Sequence, residues 1–140
     1  MVVYRLIHSG KLPHRWRETK MIGYFDSEKQ CKQAIDRLLS QPGFRDFPDA
    51  FCMIPCRIPD AAEGIALDTG WEVSSEKKRN SVDSYESYLG VYARQESAKN
   101  RVKKCMKRIT NQAGTKFDIT DYGINEVQWS EGFNVVEYDA

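Results

Sequence analysis

The 140-residue chain contains no apolar run approaching the ~20 residues that cross a bilayer. It has no excess charge of one sign either. Twenty-one Lys and Arg stand against 20 Asp and Glu, which removes the simplest argument for bulk nucleic-acid binding. Cysteine and histidine are scarce, with four and two residues. A small secreted scaffold would carry more cysteines at tighter spacing. The opening Met-Val-Val-Tyr-Arg-Leu-Ile-His lacks the basic region, long apolar stretch and small-residue cleavage site of a secretory signal. Cytoplasmic location is therefore expected. There is no glycine-rich phosphate loop, no Gly-x-Ser-x-Gly and no His-Glu-x-x-His. What is present is 41% hydrophobic, 29% charged and 11% aromatic residues, with a mean hydropathy of -0.61. That balance belongs to a folded domain, and the length to one domain or two very small ones.

The chain matches itself at an offset of 67 positions. Tyr4 meets Trp71, Gly23 meets Gly90, Cys31 meets Ala98, Ile35 meets Val102 and Leu38 meets Cys105. Phe51 meets Phe117 with a one-residue slip, and Glu63-Gly64-Ile65 meets Glu131-Gly132-Phe133 at an offset of 68. A collinear series of this length predicts tandem repeats, residues 1–68 and 69–140.

Periodicity then assigns the elements. Strands are expected over Val2–His8 and Glu18–Phe25, joined by the Gly- and Pro-containing stretch 9–16. Ser27-Glu-Lys-Gln30 has the form of a capping box, and the helix behind it sets Cys31, Ala34, Ile35, Leu38 and Leu39 on one stripe. Pro42-Gly43 ends it. A third strand follows over Ala50–Ile58 and a short fourth around Gly64–Leu67. The second half repeats the order: strands over Trp71–Ser75 and Tyr85–Tyr92, then a helix with Ala98, Val102, Cys105, Met106 and Ile109 inward. Strands over Phe117–Ile124 and Gly132–Tyr138 close the chain. The expected fold is α+β: two β-β-α-β-β repeats forming an internal pseudo-two-fold dimer, with antiparallel sheets and helices on one face. A single unit of about 67 residues would bury little core alone.

The run PGFRDFPDAF (residues 42–51), behind the strand containing Ile22-Gly23-Tyr24, and WSEGF (residues 129–133) carry a resemblance. The chain resembles a family of small uncharacterised bacterial proteins with an IGxY strand, a helix, PGFRDxPxGF and a closing WTEGF. The likeness covers about two-thirds of the chain. Here the first half holds only AAEGI (residues 61–65) at the closing position, and the second half has NQAGT (residues 111–115) in place of PGFRD. The resemblance implies a small accessory protein, and some similar proteins look like immunity proteins that neutralise bacterial toxins.

Candidate sites divide between packing and recognition. Trp129 and Phe133 could peg a turn onto a sheet with Gly132 supplying a left-handed backbone, or the same turn could present Glu131 to a partner. Phe44-Arg-Asp46 could fix a loop through an Arg45–Asp46 pair or expose Arg45. The basic aromatic stretch His14-Arg15-Trp16-Arg17 could clamp a phosphate or stack a base, or be a solvated hairpin tip. Cys52, Cys56, His8 and His14 could in principle hold zinc, but Cys-x3-Cys lacks the knuckle spacing. The cysteines read as small buried hydrophobes, and no metal or cofactor is implied.

Charge is segregated along the chain. Residues 77–116 hold 11 Lys and Arg against Asp83, Glu86 and Glu96, a balance of +8. Residues 117–140 hold no Lys or Arg and six acids, a balance of -6. The two segments could neutralise one another, or leave an acidic face that steers a basic partner. The reading is a non-enzymatic protein of the cytoplasm, monomer or homodimer. It would bind a protein, such as a basic nuclease-like toxin, through Asp118, Asp121, Glu126, Trp129 and Glu131. The alternatives are a nucleic-acid module using Arg15, Trp16, Arg17, Lys99, Lys103 and Lys107, and a small-ligand-binding protein.

Overall fold

Strand β1 (Val2–Lys11) places Tyr4, Leu6 and His8 on one face by its two-residue period. It pairs antiparallel with β2 (Arg17–Phe25), and β3 (Phe51–Arg57) lies on its other side, giving the sheet order β2-β1-β3. Helix α1 (Glu28–Leu38) begins where Ser27 accepts the Gln30 N–H at 3.2 Å, as the capping sequence predicts. A second sheet follows, from β4 (Thr69–Lys78), β5 (Ser84–Tyr92) and β6 (Thr115–Gly123), in the order β5-β4-β6. Helix α2 (Gln95–Arg108) lies between β5 and β6 in the chain. The computed structural model describes residues 1–11, 17–78, 80, 84–108 and 114–135.

The fold class is therefore α+β, with two antiparallel three-stranded sheets and two helices. Each expected fourth strand needs correction. Residues 64–67 form no strand, and neither do residues 132–135. The rest of the closing segment lies outside the described residues. A physical reason is visible at each place. Gly64 takes a φ of +80° and Gly132 a φ of +81°, left-handed values that interrupt a pleat.

Two compact units divide the chain. One comprises residues 3–55 and 124–140, the other residues 1–2 and 56–123. In the first, Leu6, Ile22, Phe25, Cys31, Ala34, Leu38 and Phe44 are fully buried together. Tyr4, Ile35, Phe51, Met53, Val127 and Phe133 pack around them. Burying a Phe or Leu contributes about 1.5–3 kcal/mol, so this cluster dominates that unit's stability. Residues 124–128 run beside β2: Tyr24 forms a parallel bridge with Ile124, and the N–H groups of Asn125 and Gln128 donate to the carbonyls of Tyr24 and Ile22 at 2.8 Å each. Asn125 also exchanges two 3.0 Å bonds with Asp26. The second unit buries Cys56, Ile58, Val73, Val91 and Ala98.

Both sheets carry an irregularity in the first hairpin. Leu6 opposes Gly23 and Ile7 opposes Met21, so Ile22 is bulged. Val73 opposes Gly90 and Ser74 opposes Tyr88, so Leu89 is bulged. At Gly23 the reason for glycine is steric: a Cβ there would lie 2.5 Å from the Glu126 carbonyl oxygen.

Several expected core positions differ. Met106 is 41% exposed instead of lying in the α2 stripe, and Ile109 is outside the described residues. Cys31 and Cys56 are buried and Cys105 half-buried, but Cys52 is exposed. Position 52 falls on the outward pleat of β3, between Phe51 and Met53, which turn toward the core.

Candidate interaction site

The two motifs singled out in the sequence meet. The Phe133 N–H donates to the Pro42 carbonyl at 2.9 Å, joining WSEGF to PGFRD. Pro42 precedes Gly43, whose φ of +82° turns the chain after α1. A Cβ on Gly43 would sit 2.6 Å from the Phe133 ring, and one on Gly132 would overlap the Pro42 carbonyl. Both glycines are thus required by close approach. Asp46 accepts the Gly43 N–H at 3.1 Å and fixes the loop, while Arg45 is exposed.

Phe133 enters an aromatic group built on β1 and the loop after α1. His8, 1% exposed, meets Phe44 and Phe51 with ring centroids 4.8 Å away and Phe133 at 5.7 Å. Phe44 and Phe133 lie edge-to-face at 5.1 Å. The His8 Nε2–H donates to the Phe47 carbonyl at 3.0 Å, which fixes the tautomer. Burial drives the His8 pKa below its ordinary 6.5; the Phe47 bond opposes this and the Lys20 charge reinforces it. His8 is therefore a neutral hydrogen-bond donor at pH 7.

Lys20 is the cross-strand partner of His8. Its side chain is buried and its Nζ lies 3.9 Å from the Phe133 ring centroid and 5.2 Å from that of Trp129. A desolvated cation over aromatic faces gains about 2 kcal/mol, which offsets part of the cost of burying the ammonium. Trp129 completes the arrangement. It is 46% exposed and takes a φ of +61°, unusual for a bulky residue. The Gly132 N–H donates to its carbonyl at 2.9 Å, closing the turn. Glu126 and Glu131, on either side of Trp129 in sequence, are exposed.

The other acidic residues do not join this group. Asp118 and Asp121 lie on β6, in the second unit, three residues apart and so on opposite faces of the strand. Asp118 is 3.8 Å from the Lys116 ammonium, a partly exposed pair worth at most about 1 kcal/mol. The five acidic and aromatic residues therefore do not make one continuous patch on a single unit. Of the basic set, Lys99, Lys103 and Lys107 are exposed along α2. Arg15 and Trp16 lie outside the described residues, as does His14, and Arg17 begins β2. Among the described residues no cluster of three or more His, Cys, Asp and Glu side chains has metal-binding geometry.

Sequence reasoning passes over Lys20 and weighs His8 only as a possible zinc ligand. A signal existed for Lys20: alternation from Ile22 puts it on the apolar face of β2, where a lysine needs an aromatic or anionic partner. Comparison of the chain with protein-family models, with curated proteins and with solved structures returns no match.

Proposed function

We propose that the protein is a binding module that seats a basic protein partner on the turn 126–131, acting as an immunity or inhibitor protein against a nuclease-like toxin. The observation that carries the reading is Trp129. A large aromatic is half-exposed in a left-handed backbone conformation that costs about 1–2 kcal/mol, and it is held there over Lys20. Glu126 and Glu131 give the flanks of that aromatic the charge a basic surface needs. An exposed Trp in a rigid setting is the residue type that most often dominates an interface. Lys20 itself would repel a cation, so the partner's basic groups pair with the two glutamates while an apolar or planar group covers the indole.

The same reading takes residues 1–68 and 69–140 as descendants of one duplicated module. Its support is the register: Leu6 opposite Gly23 and Val73 opposite Gly90 are bulge pairs separated by the same 67 positions in both strands.

The test is titration against the basic toxin encoded beside the gene. Trp129→Ala should weaken binding at least about tenfold, as for an interface hot spot. Glu131→Lys should slow association and flatten its salt dependence. Unchanged affinity in both variants, or no basic toxin in that neighbourhood, overturns the reading.

A further inference from the structure

Helix α2 carries Lys99, Lys103, Lys104, Lys107 and Arg108, all exposed, against a single acid, Glu96, in its first turn. Lys99, Lys103 and Lys107 recur every four residues and so form one stripe; Lys104 and Arg108 form the neighbouring one. Among the described residues none of the five makes an ion pair. Three like-charge pairs at this spacing destabilise a helix instead of supporting it. The helix macrodipole accounts for Lys107 and Arg108 in the last turn, but not for Lys99 and Lys103.

Packing does not demand the charges either. Helix α1 follows the hairpin of the other sheet in the same way, yet Lys32 there faces Glu28 at 3.9 Å and Asp36 interrupts the cations. Only the inward positions are alike, with Cys31 in α1 and Ala98 in α2 both fully buried. The α2 surface is thus a property added to the scaffold.

We propose that the outer face of α2 binds the phosphates of a single-stranded nucleic acid. Four residues of helix rise about 6 Å, close to the interval between successive phosphates on an extended strand, so Lys99, Lys103 and Lys107 can each meet one. Strand β5, in the same unit, exposes Tyr85 and Tyr88, each at 41%; three residues apart, they lie on opposite faces of the strand, so one of them shares the face on which α2 packs. A tyrosine on the face that α2 covers offers a base the stacking surface that single strands use, which an acidic protein or a lipid headgroup does not need. These residues belong to the other compact unit from Trp129, and the proposal does not rest on that turn.

Fluorescence anisotropy of labelled oligouridylate with the full chain tests the proposal. Each phosphate contact adds about -0.7 to the slope of log K against log salt. Three contacts then weaken binding roughly 20-fold between about 50 and about 200 mM salt. The combined variant Lys99→Gln, Lys103→Gln, Lys107→Gln keeps strong helix formers, and circular dichroism verifies its helix. It should bind at least about tenfold more weakly and with a shallower slope. Of Tyr85→Ala and Tyr88→Ala, one should lower affinity at least about fivefold without changing the slope, and the other should leave both unchanged. Equal binding by the triple variant and the unaltered chain overturns the proposal. So does association with phosphatidylserine vesicles combined with no binding of oligouridylate at low salt.

Discussion

The Asp60 carboxylate accepts the backbone N–H groups of Ala93 and Arg94, at 2.7 and 3.1 Å, and so caps α2 from a position 33 residues earlier in the chain. Helix α1 has Ser27 for this purpose; 67 positions on, the residue is Arg94, which has no acceptor to offer. Arg94 is turned to use instead, its Nε lying 3.7 Å from the Asp60 carboxylate.

Asp60→Ala should therefore destabilise the protein by about 1–2 kcal/mol, read as a lower urea midpoint. Burial alone would raise the Asp60 pKa, but hydrogen bonds from Ala93, Ser97 and Arg94 together hold it below the ordinary 3.8. In the unfolded chain the carboxyl takes its ordinary value. The stabilisation is complete above that value and is lost as pH falls through the lower folded value. The gap between the unaltered chain and Asp60→Ala should thus be constant near neutrality and shrink below about pH 4.

Gly64 and Gly132 share a left-handed φ but not their surroundings. A Cβ on Gly64 meets nothing within 4 Å, whereas one on Gly132 overlaps Pro42. Gly64→Ala should cost about 1–2 kcal/mol for its backbone alone. Gly132→Ala should cost about 2–4 kcal/mol, because overpacking adds to the same backbone penalty. Urea unfolding of both variants measures the difference, and equal losses would contradict the Pro42–Phe133 junction.

His8 gives the fold a pH dependence of defined sign. Its folded pKa lies below 6.5, so the unfolded chain binds the proton more readily. The stability contribution is complete above pH 6.5 and declines as pH falls through the folded value. Thermal midpoints at neutral and mildly acidic pH should show a drop for the unaltered chain. His8→Phe keeps an aromatic ring in the cluster and should remove most of that drop. An identical drop in both proteins would place the titrating group elsewhere.

Local chemistry made most of the elements legible. Short apolar runs on either side of a Gly- and Pro-containing stretch found β1 and β2, Ser27-x-x-Gln30 found the start of α1, and the Cys31–Leu38 stripe found its buried face. Long-range backbone pairing was not legible. Nothing in Ile124–Gln128 announces a parallel partner about 100 residues away, because those bonds join N–H and C=O groups that every residue carries. Hydropathy alone also predicts the two fourth strands, because it does not distinguish the apolar residue of a strand from Ile65 beside a turn or Phe133 in a ring cluster. At the candidate site the motifs themselves were readable, and their meeting through Pro42 and Phe133 was not. The charge segregation pointed to five acidic and aromatic residues as a set. Pleating sends Asp118 and Asp121 to opposite sides of β6, which a count of charges along the chain cannot register.

Residues 124–135 complete the unit that begins at residue 3. A ribosome must therefore release the chain through residue 133 before the body begun at residue 3 can acquire its Phe133 plug and the strip beside β2. Until then Phe44, Phe51 and His8 wait without their last neighbour. Maturation of that body consequently waits on synthesis of the whole intervening unit, and a message cut before residue 124 would leave residues 3–55 unfinished.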